Sequence, residues 1–187
     1  IGVIWLDAHG DFNTHLTTPS GNIHGMSLAA LCGLGDPRLT ALYDEPVPVI
    51  DPGKVAIIGA RDLDLGEKDN LRSAGARVLS MEQVDRIGMV AALQQCIEQV
   101  SRDVDGIYLS MDLDALEPRF APGVGTPVPG GLTYREGHLA CEVVAETGKL
   151  IGMDVVEVNP ILDEKNQTAK IAVEFACSAL GSRVWQG

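Results

Sequence analysis

Apolar residues in this chain gather in short unbroken runs, and most of the runs end abruptly in polar or Gly/Pro-rich segments. Two runs open the stretches Ile1–Asp11 (IGVIWLDAHGD) and Gly106–Asp114 (GIYLSMDLD). Others are Lys54–Gly59 (KVAIIG), Arg77–Leu79 and Leu150–Val156 (LIGMDVV). Short apolar runs without alternation, rich in Val, Ile and Leu, predict strands buried on both faces, as in a parallel sheet. Between them the apolar spacing changes to that of helices. Met26–Leu34 reads as a short helix stopped by Gly35, Asp36 and Pro37, and Glu67–Ala74 as one ended by Gly75. Met89–Ser101 is amphipathic. Thr133 and Glu136 form a T-x-x-E capping box that starts a helix running to Thr147, with Gly148 as its stop. A last helix spans Thr168–Leu180. Strand, loop and helix alternate throughout, which predicts an α/β fold: a three-layer α/β/α arrangement around a mainly parallel sheet. No internal repeat or domain boundary is visible, so residues 1–187 are read as one domain.

The loops differ in character. Phe12–Gly25 is long, polar and irregular, which suits a functional loop better than a connector. Leu39–Gly53 is proline-rich and reads as a surface connection. Pro118–Gly131 is a Gly/Pro loop without the Gly-Lys-Ser/Thr of a phosphate-binding loop.

Candidate chemistry collects where two strands end. Asp7, His9 and Asp11 fall at i, i+2 and i+4, and Asp112 and Asp114 are two residues apart. Extended backbone keeps such residues on one side, and open α/β sheets carry their sites at the strands' carboxyl ends. Four carboxylates and an imidazole brought together would repel strongly, with raised and coupled pKa values. A pair of divalent cations would let all of them ionise. Oxygen-rich ligation points to Mn²⁺ or Mg²⁺, and the single His favours Mn²⁺; zinc sites more often use several His or Cys. Asp is also an ordinary turn and cap residue, so one D-x-H-x-D motif has a plainer reading. Two strand-end clusters in one chain weigh against it.

The net charge of −12 argues against nucleic acid or an anionic membrane as partner. No apolar run approaches the roughly 18 residues of a membrane span. Cys32, Cys96, Cys141 and Cys177 are far apart with no CxxC pair, which predicts free buried thiols in a reducing, cytoplasmic setting. The chain opens inside an apolar strand without Met and is read as the C-terminal part of something longer.

DAHGD, SGNIHG, SMDLD, GTPVPGGLTYREG and EVNP, in this order along the whole chain, resemble the arginases of the ureohydrolase superfamily, the bacterial type above all. The resemblance implies a binuclear Mn²⁺ hydrolase that converts L-arginine to L-ornithine and urea through attack of a metal-bridging hydroxide. It implies that Asp7 and Asp112 bridge the ions, that Asp11 completes one shell, and that His9 and Asp114 serve the other. Asp114 would pass a proton toward the leaving amine and His24 would exchange protons with solvent. Glu157 would pair with the guanidinium, an acid meeting a planar fork. Asn13, Thr18 and Ser20 would hold the α-carboxylate, Asp64 and Glu67 the α-ammonium, and Thr126 would make a further contact near the metals. A homotrimer or homohexamer is the assembly implied.

Each of these residues has a plainer reading beside the implied one. His24 could be a satisfied core histidine, Glu157 a helix cap, Asp64 and Glu67 a solvated face, and Asn13 and Ser20 turn residues. His15 and His138 carry no second feature. Family members also have an upstream Gly-Gly-Asp-His segment whose His is a sixth protein ligand, and these residues do not include one. The sheet is therefore expected to lack its N-terminal strands and to leave Leu150–Val156 as an uncovered edge open to association. The ion held by Asp7, Asp11 and Asp112 is expected to bind weakly, with low activity. Agmatinase or another guanidino-compound ureohydrolase is the alternative enzyme, and a non-catalytic chain that binds metal or associates with full-length subunits is the alternative of another class. Binuclear metallophosphatases need more His than the 4 scattered through this chain.

Overall fold

The computed structural model describes residues 1–41 and 49–185. Five strands, β1 (Gly2–Leu6), β2 (Val55–Ala60), β3 (Arg77–Ser80), β4 (Ile107–Asp112) and β5 (Leu150–Val156), form one sheet in the order β3-β2-β1-β4-β5. Every pairing is parallel. β1 and β2 are buried along their whole length, as unbroken apolar runs require when both faces are covered.

Alternation along the strands sorts the core into two layers. Ile4, Leu6, Ile58, Leu109 and Met111 face one side. There they meet α4 (Met81–Ile87), α5 (Met89–Val100), α6 (Tyr134–Glu146) and α7 (Gln167–Ala179). Val3, Trp5, Val55 and Ile57 face the other side with Phe12, with Leu28 and Ala29 of α1 (Ser27–Leu31), and with Leu71 of α3 (Leu65–Ala74). The structure is thus the three-layer α/β/α arrangement. The helix α5 buries Met89, Ala92, Leu93, Cys96 and Val100, spacings of three and four that put one stripe on the sheet. Leu93 is fully buried, so truncating it to Ala would cost about 2–5 kcal/mol.

Several elements differ from the sequence reading. Residues 23–26 form a single 3-10 turn, and α1 ends at Leu31, three residues before the expected stop. The helix α3 starts at Leu65, because Asp64 and not a later residue closes its capping box with Glu67. The helix α4 was not expected, although Ser80 and Gln83 form the same kind of box at its start. A short helix, α2 (Pro37–Thr40), occupies the beginning of the proline-rich connection; residues 42–48 of that connection lie outside the described residues. Three of the cysteines are buried and free as expected, but Cys177 is exposed on α7. The strand β5 is an edge of the sheet, with Ile151 and Val156 exposed.

The chain builds outward from β1 through β2 to β3, then crosses back to lay β4 on the other side of β1. The strand order therefore reverses between β1 and β4. Diverging connections open a crevice at such a point, beyond the carboxyl ends of the strands.

Candidate metal centre

Asp7 follows β1 and Asp112 ends β4. The register Leu6↔Met111 sets the two strand ends side by side in that crevice. Asp7, His9 and Asp114 each offer a ligand atom within 4.8 Å of the others. His9 Nδ1 lies 3.0 Å from Asp114 Oδ2 and 3.3 Å from Asp7 Oδ1. A 3-10 turn, Leu113–Ala115, carries Asp114 back toward β1, and Asp112 Oδ1 caps it by accepting from Asp114 N at 2.8 Å. Ala8 N donates to Asp114 Oδ1 at 3.1 Å, tying the second cluster to the first. Asp11 has φ +50°, a left-handed backbone that Asp tolerates better than most residues. Its Oδ2 accepts from Ser27 Oγ at 3.0 Å.

Backbone contacts hold the strand ends this close. Asp7 N donates to Ile58 O, and a Cβ on Gly59 would come within 3.2 Å of the Asp7 carbonyl at a φ of +100°. Glycine answers both constraints there. The indole Nε1 of Trp5 donates to Asp7 Oδ2 at 2.9 Å.

The electrostatics are those of a crowded acidic cleft. Burial, with Asp114 adding to it, raises the pKa of Asp7. Burial and the Asp7 charge push Asp11 up to about 8, and burial with Asp7 and Asp114 pushes Asp112 up to about 10. Burial opposes a charged His9, yet hydrogen bonds and charges from Asp114 and Asp7 outweigh it and bring the imidazole to about 11. Burial opposes ionisation of Asp114 too, but the bonds from His9 and Ala8 take it below the usual carboxylate range. Without a cation, then, the cluster must hold protons, with His9 as its positive charge. Four acids and one imidazole in that predicament fit a pair of hard or borderline divalent cations.

His9, Asp11, Asp112 and Asp114 line a cleft of about 540 Å³ together with His24, Thr126 and Glu157, and Asp7 stands behind that lining against His9. Thr126 Oγ1 donates to Asp114 Oδ2 at 3.0 Å. Glu157 follows β5 with φ +67°, a sparsely populated backbone for glutamate, and its Oε2 lies 3.2 Å from where a Cβ on Gly125 would stand. His24 is exposed on the 3-10 turn at residues 23–26.

The remaining candidates sit in the polar loop and its support, outside the lining of that cleft. Asn13 is buried, donating from Nδ2 to Asp64 Oδ2 at 2.9 Å and accepting at Oδ1 from Thr17 Oγ1 at 3.0 Å. Thr18 and Ser20 hold the loop's turn, accepting from Gly21 N and Asn22 N. Asp64 is exposed. Glu67 is 3% exposed, and its oxygens accept from Phe12 N at 2.9 Å and Asp64 N at 3.2 Å. The structure therefore places Glu67 beneath the loop as its fastening.

Four residues escaped the sequence reading: Trp5, Ser27, Arg61 and Asp154. Asp154 Oδ2 accepts from Tyr108 Oη at 3.0 Å and Oδ1 from Ser110 Oγ at 2.8 Å on the cleft's floor. Only Trp5 left a signal, since a buried indole N–H needs an acceptor and Asp7 is two residues on.

Residues 1–181 match the profile of the Arginase family. The chain belongs to the arginase family. The arginase of Bacillus caldovelox is 52% identical over 184 residues, covering 98% of this chain and 61% of its own length. Its solved structure superposes with a TM-score of 0.95. The arginase of Bacillus subtilis (strain 168) is 50% identical, covering 98% of this chain and 62% of its own length. A structure of Entamoeba histolytica arginase in complex with L-ornithine is 35% identical, with a TM-score of 0.88, covering 97% of this chain and 60% of that one. The chain thus spans about three fifths of the length of the arginases it matches.

Proposed function

We propose that this chain carries the centre of a ureohydrolase that hydrolyses L-arginine to L-ornithine and urea. The observation that carries the reading is the cluster of Asp7, His9 and Asp114, with the charges of Asp11 and Asp112 beside it, bordering a cleft that Glu157 also lines. Asp7, Asp11 and Asp112 would hold one Mn²⁺, and His9 and Asp114, with the shared Asp7 and Asp112, a second. When bound, such ions polarise the substrate and make hydroxide available near neutral pH.

The other residues position and exchange protons. Glu157 lies in the same cleft as the acids, and a carboxylate there matches a guanidinium's planar donors and fixes which face its central carbon presents. Asp114, held by Ala8 and Thr126, is the carboxylate that would take a proton from the attacking water and pass it to the leaving amine. His24, exposed and part of the cleft's lining, would exchange protons with water. The loop of Asn13, Thr18 and Ser20, with Asp64 beside it, offers neutral donors and an acid to an amino acid's carboxylate and ammonium; Glu67 acts there by holding the loop. An α-carboxylate would find partners in that loop, which supports arginine over agmatine. The E. histolytica arginase was solved with L-ornithine, the product this reaction would release.

Urea release from L-arginine and from agmatine, measured on the Mn²⁺-loaded chain with bound Mn²⁺ determined in parallel, tests the reading. Arginine is expected to be the better substrate. A preference for agmatine makes the chain an agmatinase. Bound Mn²⁺ with no urea from either leaves a metal-binding chain and removes the hydrolase. Light scattering on the same sample reads the trimer or hexamer implied by family likeness.

A further inference from the structure

Arg61, the first residue after β2, is half-buried, and among the described residues every acceptor of its guanidinium is a backbone carbonyl. Its Nε donates to Val128 O at 3.1 Å and Pro129 O at 3.3 Å. Its Nη1 reaches Gly59 O and Ala115 O, each at 3.2 Å. Its Nη2 reaches Asp114 O at 2.7 Å, Leu116 O at 3.2 Å and Val128 O at 2.6 Å. The backbone of Arg61 and Asp62 also holds the segment after β1, because Arg61 N and Asp62 N both donate to Ala8 O, at 2.8 and 3.1 Å. Even the neighbouring glycine is shaped to it: a Cβ on Gly131 would lie 2.6 Å from Arg61 Nη2.

These contacts join three segments beyond the sheet's ladder, two of which also meet in the single bridge Leu116↔Leu132. They are the end of β1 with Asp7 and His9, the turn after β4 with Asp114, and the Gly/Pro loop with Thr126. The Asp114 carboxylate accepts from Ala8 N and Thr126 Oγ1 and faces His9 Nδ1, while the Asp114 backbone N–H is held by Asp112 Oδ1. A planar cation with five fixed donors can serve carbonyls in several directions at once, and an ammonium cannot. Carbonyls at the end of a turn need such partners, since burying one unpaired is costly.

We infer that Arg61 is a positioning residue that sets the Asp114 carboxylate and the Thr126 loop in register with Asp7 and His9. Its kinetic consequence rests on the ureohydrolase reading above, whereas its consequence for metal binding stands apart from turnover.

The test uses the full chain with Arg61→Lys, Thr126→Val and the double variant, with Mn²⁺ alone as the probe. Arg61→Lys keeps the charge and loses the fork. Its affinity for the ion served by His9 and Asp114, followed by electron paramagnetic resonance titration, is expected to fall about 10–100-fold, as when an outer partner of a ligand is removed. With arginine as substrate, kcat is expected to drop about 10²-fold, the scale of a misplaced catalytic group, while KM stays nearly constant. Partial unfolding alone would shrink the amplitude of the Mn²⁺ titration and leave its midpoint in place. Both substitutions act through one carboxylate, so the double variant is expected to lose much less than the product of the single losses. An unchanged midpoint, multiplicative losses, or an Arg61→Lys chain that does not fold at all each overturns the inference. If the parent chain releases no urea, the ureohydrolase reading falls by itself, and the Mn²⁺ midpoint alone decides the role of Arg61.

Discussion

Trp5 shows how one side chain can serve packing and chemistry together. Its ring lies in the core layer with Val3, Val55 and Ile57, while its Nε1–H holds Asp7 Oδ2 at 2.9 Å. Replacing Trp5 with Phe keeps most of the apolar contact and removes only the donor. A carboxylate freed from its outer partner loses its fixed orientation, which costs about 10–100-fold in metal affinity. Calorimetric titration with Mn²⁺ should show that loss in Trp5→Phe, and an unaltered affinity would mean that the indole only packs. At this scale the spacing of Asp7, His9 and Asp11 pointed to the strand end, but not through the alternation expected of extended backbone: β1 stops at Leu6, the chain bends at Ala8 and His9, and Asp11 is left-handed. The sequence was silent where chemistry follows contact between distant segments. Ser27 meets Asp11 from 16 residues away, and Arg61 reaches Val128 across 67, and neither has a neighbour in sequence that betrays its partner.

The elements were legible through two signals, unbroken apolar runs for the strands and capping boxes for helix starts. Thr133 and Glu136 fixed the start of α6 because cap chemistry is local. Ser80 and Gln83 write the same signal for α4, but the helix has only seven residues and follows β3 without a loop, so its apolar spacing merges with the strand. Glu67 belongs to this scale as well. It closes the box that begins α3 and also fastens Phe12 at the root of the polar loop, so an acid that reads as a surface residue is buried. Glu67→Gln would leave one acceptor oxygen for two backbone donors and turn an amide N–H₂ toward the other. That mismatch should cost about 1–3 kcal/mol in urea denaturation and speed hydrogen exchange at the Phe12 amide. Unchanged exchange at Phe12 would show that the loop is anchored by its own turns.

For the molecule as a whole, the acidic cleft makes stability and metal binding depend on pH in opposite directions. Asp11 and Asp112 rise from the ordinary 3.8 to about 8 and about 10, mainly through burial, and His9 from 6.5 to about 11 through its acidic neighbours. In all three the folded chain binds its proton more tightly than the unfolded chain. The slope of unfolding free energy with pH follows protons bound unfolded minus protons bound folded, so it is negative from about 4 upward. The lowered Asp114 has the opposite sign, but its window lies below the unfolded carboxylate value. The metal-free chain should therefore lose stability as pH rises from 5 to 8 because of this cluster. Mn²⁺ would take the ligands deprotonated and release their protons, so its affinity is expected to rise over the same interval, and bound ion would stabilise the folded chain with the logarithm of one plus its concentration over its dissociation constant. Thermal melts at pH 5, 6.5 and 8, in chelator and in excess Mn²⁺, should thus diverge: the chelated curves move down, and the gap opened by Mn²⁺ widens at each step. Asp112→Asn removes the acid with the more strongly raised pKa of these two carboxylates. It should flatten the chelated series while shrinking the Mn²⁺ gap, a pairing that a general effect of net charge would not produce. A chelated chain that grows more stable toward pH 8 would mean that the buried acids are already ionised without a cation.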